Sequence, residues 1–135
     1  MQVQERFSAE GNWSSASGQA AFRQLLDSYP EMDGVFVAND QMALTVLRTA
    51  AEKGIKVPQD LAVVGFDDIA ESAYFWPALS TISQNQHELG CRAVHELVLK
   101  VEAAHRNEAV ESRSIYLTPE LVIRESSVKA KNQEK

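Results

Sequence analysis

Cysteine is nearly absent: Cys91 is the sole one in 135 residues, so no internal disulfide can form. A reducing compartment is therefore permitted. Basic residues are outnumbered, with 13 Lys and Arg against 19 Asp and Glu, for a formal charge of −6. That balance argues against a nucleic-acid surface built by this chain alone. No apolar run approaches the roughly 20 residues that a membrane-spanning helix needs. The opening residues MQVQERFSAEGNW hold no apolar stretch of the kind a secretion signal requires. Glycine-rich phosphate loops, nucleophile elbows and paired-cysteine metal motifs are all missing. There is no internal repeat. The length fits one ordinary domain with a real core.

What is there is organised around the stretch from Gly34 to Asp68. Val35, Phe36, Val37 and Ala38 form a short continuous apolar run, and so do Leu61, Ala62, Val63 and Val64. Such runs suit strands of a parallel sheet covered on both faces. Between them Ala43, Val46, Leu47 and Ala50 recur on one helical face. Gly54 is placed to cap that helix and Pro58 bars its continuation. The unit is βαβ, with a right-handed crossover expected. Asn39 and Asp40 follow the first strand, and Asp67 and Asp68 follow the second. Ligands of open α/β sheets bind beyond the carboxyl ends of the strands, which is where both polar pairs fall.

Around this unit the pattern predicts a weak strand over 2–7, a loop, and a helix over 15–29 carrying Phe22, Leu25, Leu26 and Tyr29. After Asp68 a short helical turn is expected, then an extended segment over 79–84 and a long helix over 86–104. Two short strands, 114–117 and 120–124, are separated at Pro119. The alternation predicts an α/β fold, a mainly parallel sheet flanked by helices.

The segments VANDQMAL (37–44) and VVGFDDI (63–69) give the chain a resemblance to the LacI/GalR-family transcriptional regulators. GNWSSASG (11–18), PALSTISQ (77–84), ELG (88–90) and TPELVIRES (118–126) match that pattern in order. GNWS together with VANDQMAL resembles the lactose-repressor-like branch. The resemblance covers nearly the whole chain and implies an incomplete C-terminal lobe of a periplasmic-binding-protein-like core. On that resemblance residues 1–82 are a βαβαβ segment of the C-terminal lobe. Residues 83–118 are a crossing segment, long helix and strand of the other lobe. Residues 119–127 return and 128–135 are a tail. The helix-turn-helix headpiece of the family is not in this sequence, which thus reads as a fragment. DNA binding is expected only through that headpiece.

The resemblance also implies ligand residues. Asp67 would accept hydrogen bonds from effector hydroxyls, against the plain alternative of capping the next turn. Asn39 would offer a donor and an acceptor to the same ligand, while Asp40 and Asp68 read as helix caps. Trp13 would stack on a sugar ring, or else pack on the surface. Gln84 would face the cleft, or else bond backbone. A dimer interface is implied around Leu44, Leu47, Tyr74, Phe75 and Trp76, with core packing the alternative for the aromatics. His87, Cys91 and His95 recur at i, i+4 and i+8; any i,i+4 pair could chelate zinc, but all three span too much helix to share one ion, and a solvated or core-edge face is the plainer reading. The paired acids Asp67–Asp68 could hold Mg²⁺ for phosphoryl transfer, but no nucleophile motif accompanies them. The expectation is therefore a cytoplasmic, non-enzymatic module with no cofactor and no membrane contact. It would bind a small sugar-like or nucleoside-like effector and pair as a homodimer. The alternatives are a sugar-binding protein of a transport system and a self-associating fragment without ligand activity.

Overall fold

The computed structural model describes residues 7–109 and 114–128. The strand expected over 2–7 falls almost wholly outside them, as does the tail beyond Val128. The chain divides into two compact units, one formed by residues up to Ser83 together with those from Leu121, the other by residues 84–120.

In the first unit, helix α1 (Ser15–Ser28) starts where the Ser14 hydroxyl accepts the Ser17 N–H, and stops before Pro30. Strand β1 (Gly34–Phe36), helix α2 (Asp40–Glu52) and strand β2 (Ala62–Phe66) form the expected βαβ unit. β1 pairs parallel to β2, with Val35 opposite Val63. α2 ends at Lys53, and Gly54 turns the chain away with φ 73, a left-handed conformation that costs glycine little. A short 3-10 turn (Ala70–Tyr74) leads to β3 (Ser80–Ser83), parallel to β2 with Val64 opposite Ser80. β4 (Glu120–Val122) completes the sheet in the order β1-β2-β3-β4. Beyond it, Ser126 N–H bonds Ala78 O and Arg124 N–H bonds Ser80 Oγ, so this return runs antiparallel to β3.

The core lies between the sheet and the two helices, and includes Phe22, Val37, Val46, Leu61, Val63 and Leu79. α1 touches α2 almost backbone to backbone. A Cβ on Gly18 would stand 2.6 Å from Met42 Cβ and 2.7 Å from Met42 Cα. Thr45 Oγ1 also donates to Ser15 O at 2.7 Å. Burial alternates along β2: Val63 and Gly65 are buried, while Ala62, Val64 and Phe66 are half-buried. The expectation of strands covered on both faces therefore fails at β1, where Phe36 is 63% exposed. Among the described residues β1 is a sheet edge, and the helices protect the Val37 face rather than the Phe36 face.

In the second unit the regular element is α3 (Gln86–His105). The Asn85 side chain caps it by accepting the Glu88 N–H, and Arg92 pairs with Glu88 at 2.9 Å. Leu89, Leu97 and Val101 are all exposed on it. The strand expected over 114–117 does not form: residues 114–119 are irregular. A strand exists only through a ladder with a neighbour, and this unit supplies a helix instead.

Candidate functional site

The carboxyl ends of the parallel strands β1 and β2 place two polar corners side by side. The first begins with Asn39. Its Oδ1 accepts the Met42 N–H at 2.9 Å, which makes Asn39 the N-cap of α2. Its Nδ2 donates to Trp13 O at 2.9 Å and to Gln41 Oε1 at 3.1 Å. One buried amide thus starts a helix and ties down the loop that carries Trp13. Trp13 itself has φ 70 and is 65% exposed, so its indole is available at this edge. An open apolar cavity of about 300 Å³ lies beside it, with Phe22, Phe36, Val37 and Met42 among its walls. Phe36 meets Phe66 edge-on, centroids 6.3 Å apart.

Asp40 corrects the sequence reading. It is not the cap: it is the first residue of α2 and fully buried. Its Oδ1 accepts the Thr81 hydroxyl at 2.7 Å and its Oδ2 accepts the Ile69 N–H at 3.0 Å. Burial raises its carboxyl above the usual value of 3.8; the bonds from Thr81 and the Ile69 N–H oppose this, and the charge of Asp67 adds to it. In the folded chain Asp40 therefore holds its proton at pH values where the unfolded chain has lost it. Ionising it costs stability as pH rises above 3.8 through the raised value, and the cost is absent below 3.8. Asp40→Asn keeps the shape without the titration. Its stability relative to the unaltered chain should rise as pH increases above 3.8, as read by urea denaturation. A difference that stays constant across that range would contradict the raised pKa.

The second corner is Asp67–Asp68. Asp67 is half-buried, its N–H bonds Ile82 O at 3.0 Å, and it has φ 110. Asp68 has φ 54. It does not cap the following turn, whose N-cap, Ile69, makes no side-chain bond. Instead Asp68 Oδ1 accepts Arg124 Nη2 at 2.8 Å. With Asp68 so engaged by a cation, the two acids are not an equivalent metal-binding pair. Among the described residues no three His, Cys, Asp or Glu side chains group as a metal site, and His87 and Cys91 merely approach to 3.7 Å.

Trp13 and Asn39 are thus bonded together, and Asp67 lies near enough to Asp40 to perturb it. Gln84 is half-buried and opens the second compact unit. Of the residues expected at an interface, Leu47 is only 4% exposed and belongs to the core. Phe75 is half-buried and packs on the core. Leu44, Tyr74 and Trp76 are exposed, the aromatics at 87% and 90%. Arg124 and Phe36 were not singled out by the sequence. The arginine at the end of the apolar run LVI (121–123) was the available signal for the first.

A mainly parallel sheet flanked by helices defines an α/β domain. The sequence profile of the periplasmic binding protein-like domain matches residues 1–127. The HTH-type transcriptional repressor PurR of Haemophilus influenzae is 37% identical over 118 residues, 87% of this chain and 34% of its own. The chain thus spans about a third of the length of the curated relatives it matches. Among solved structures, the transcriptional regulator CelR–cellobiose complex superposes with a TM-score of 0.84 at 34% identity, over 94% of this chain and 38% of that one. The Lac repressor dimer bound to operator and the anti-inducer ONPF gives 0.77 at 35%, over 89% of this chain and 40% of that one. The chain belongs to the periplasmic binding protein-like domain family, as part of the effector-binding domain of a LacI/GalR-family regulator.

Proposed function

We propose that this chain forms one wall of the effector site of a cytoplasmic transcriptional repressor and binds a sugar-like or nucleoside-like molecule without altering it. The observation that carries this reading is the side-by-side placement of Trp13, Asn39 and Asp67 beyond parallel strands. An exposed indole suits the apolar face of a sugar ring, and a carboxylate suits its hydroxyls. The cellobiose complex of CelR supports a carbohydrate. Asn39 acts mainly by holding Trp13 and α2, since its amide already serves both. DNA binding is assigned to a headpiece outside these residues, and the signal to a population shift set by the ligand.

Thermal melts against cellobiose and a panel of sugars and nucleosides test this. A ligand at a hundred times its Kd adds about 2.7 kcal/mol, a shift on the order of 10 °C for a domain near this size. The shift should vanish in Asp67→Asn. No shift with any of the panel, or one that survives the substitution, would remove Asp67 from the site.

The exposed Leu44, Tyr74 and Trp76 support self-association into a homodimer. Sedimentation velocity should show a dimer that Trp76→Glu converts to monomer. A monomeric unaltered chain at tens of micromolar would count against the interface.

A further inference from the structure

The turn that carries Asp67 is costly. Asp67 and Asp68 both have positive φ, 110 and 54, in a region where residues with a Cβ are strained by on the order of 1–3 kcal/mol each. Such a conformation persists only where its surroundings over-determine it. Three separate elements do so here. Strand β3 accepts the Asp67 N–H at Ile82 O and the Asp68 N–H at Thr81 Oγ1, 3.0 and 3.3 Å. Asp40 at the start of α2 accepts the Ile69 N–H. The third tie comes from the far end of the chain. Arg124 Nη2 reaches Asp68 Oδ1 at 2.8 Å, while its Nη1 donates to Leu79 O at 2.8 Å and to Ser72 Oγ at 3.0 Å. Ser72 Oγ lies 3.4 Å from the same Asp68 oxygen. The guanidinium thereby fastens both ends of the segment between the aspartates and β3.

The Arg124–Asp68 pair is not a loose surface contact. Its two side chains are only 21% and 23% exposed. Arg124 is also fixed through its backbone, its N–H donating to Ser80 Oγ and its carbonyl accepting from the same hydroxyl, 2.7 and 3.0 Å. A planar fork with several fixed donors can hold a carboxylate and a carbonyl together, which a lysine ammonium does less well.

We propose that Arg124 is a positioning residue for the ligand edge: by clamping Asp68, it holds the strained turn that presents the Asp67 carboxylate. The ligand role of Asp67 is the reading made above, but the clamp itself can be tested without any ligand.

Amide hydrogen exchange of the full chain, resolved by residue, is the first readout, on Arg124→Met, Arg124→Lys and Asp68→Asn. Protection at Asp67, Asp68 and Ile69 should fall by about tenfold or more in Arg124→Met, while Val46 and Val63 in the core keep theirs. Lysine should restore part of it. Asp68→Asn removes the same pair from the other side and decides the matter should the methionine variant not fold. Unchanged protection at the three amides, or a uniform fall across the sheet, would overturn the clamp and leave Arg124 a general stabiliser. The second readout is cellobiose affinity by titration calorimetry. A loss of about tenfold in Arg124→Met, partly regained by lysine, is expected. If the unaltered chain binds no cellobiose, that carbohydrate reading fails by itself, and the exchange data still decide the clamp.

Discussion

Gly65→Ala should cost about 3 kcal/mol or more of stability, against the slight gain that strand propensity alone would suggest. A Cβ at this position would run into Asp40 Oδ1 and stand 2.9 Å from Leu79 Cδ2. Neither neighbour can yield. Leu79 is fully buried in the core, and the Asp40 carboxylate is held by Thr81 and the Ile69 N–H. Overfilling a packed site costs about 1–3 kcal/mol. Displacing Asp40 leaves a buried donor without its acceptor, which adds about 1–3 kcal/mol. In urea, with a slope of about 1–3 kcal/mol per molar, the midpoint should drop by on the order of 1 M or more. A midpoint equal to that of the unaltered chain would mean that the carboxylate has room to move, and the tight account of the Asp40 corner would be wrong. The close approach also explains why this strand carries glycine between Val64 and Phe66: β2 must leave space for the Asp40 carboxyl beneath it.

Phe22→Ala is the second large effect, with an expected loss of about 3–5 kcal/mol. Phe22 and Gly18 are the only buried residues of α1. Glycine gives that helix a close approach to Met42 but no apolar surface, so Phe22 supplies most of the apolar anchoring. Removing the ring empties the core beside Val37 and Val46 and loosens the helix whose start holds the Trp13 loop. Equilibrium denaturation reads the magnitude. Exchange at α1 amides, rising more than at β2 or β3, locates it. A loss below about 1 kcal/mol would place the docking of α1 in its backbone contact with α2 rather than in the ring.

The three long helices were legible in the sequence almost to the residue. Their apolar spacing and the Gly54 stop act over one to four residues, so a local reading captures them. The strands β1 and β2 and the polar pairs at their ends were legible for the same reason, as was the family resemblance carried by those segments. What sequence reading could not settle depended on partners far along the chain. Asn39 rather than Asp40 caps α2 because Asp40 is drawn under the sheet to Thr81, 41 residues away. Asp68 pairs with Arg124, 56 residues away, instead of capping its own turn. Phe36 is exposed because no helix among the described residues covers its face of β1, and Leu47 is buried because its side of α2 turns onto the core. Periodicity tells which residues share a face, but not what stands opposite that face. A buried carboxylate or an ion pair is decided by which groups tertiary packing brings within about 3 Å, where desolvation and hydrogen bonding outweigh local preference.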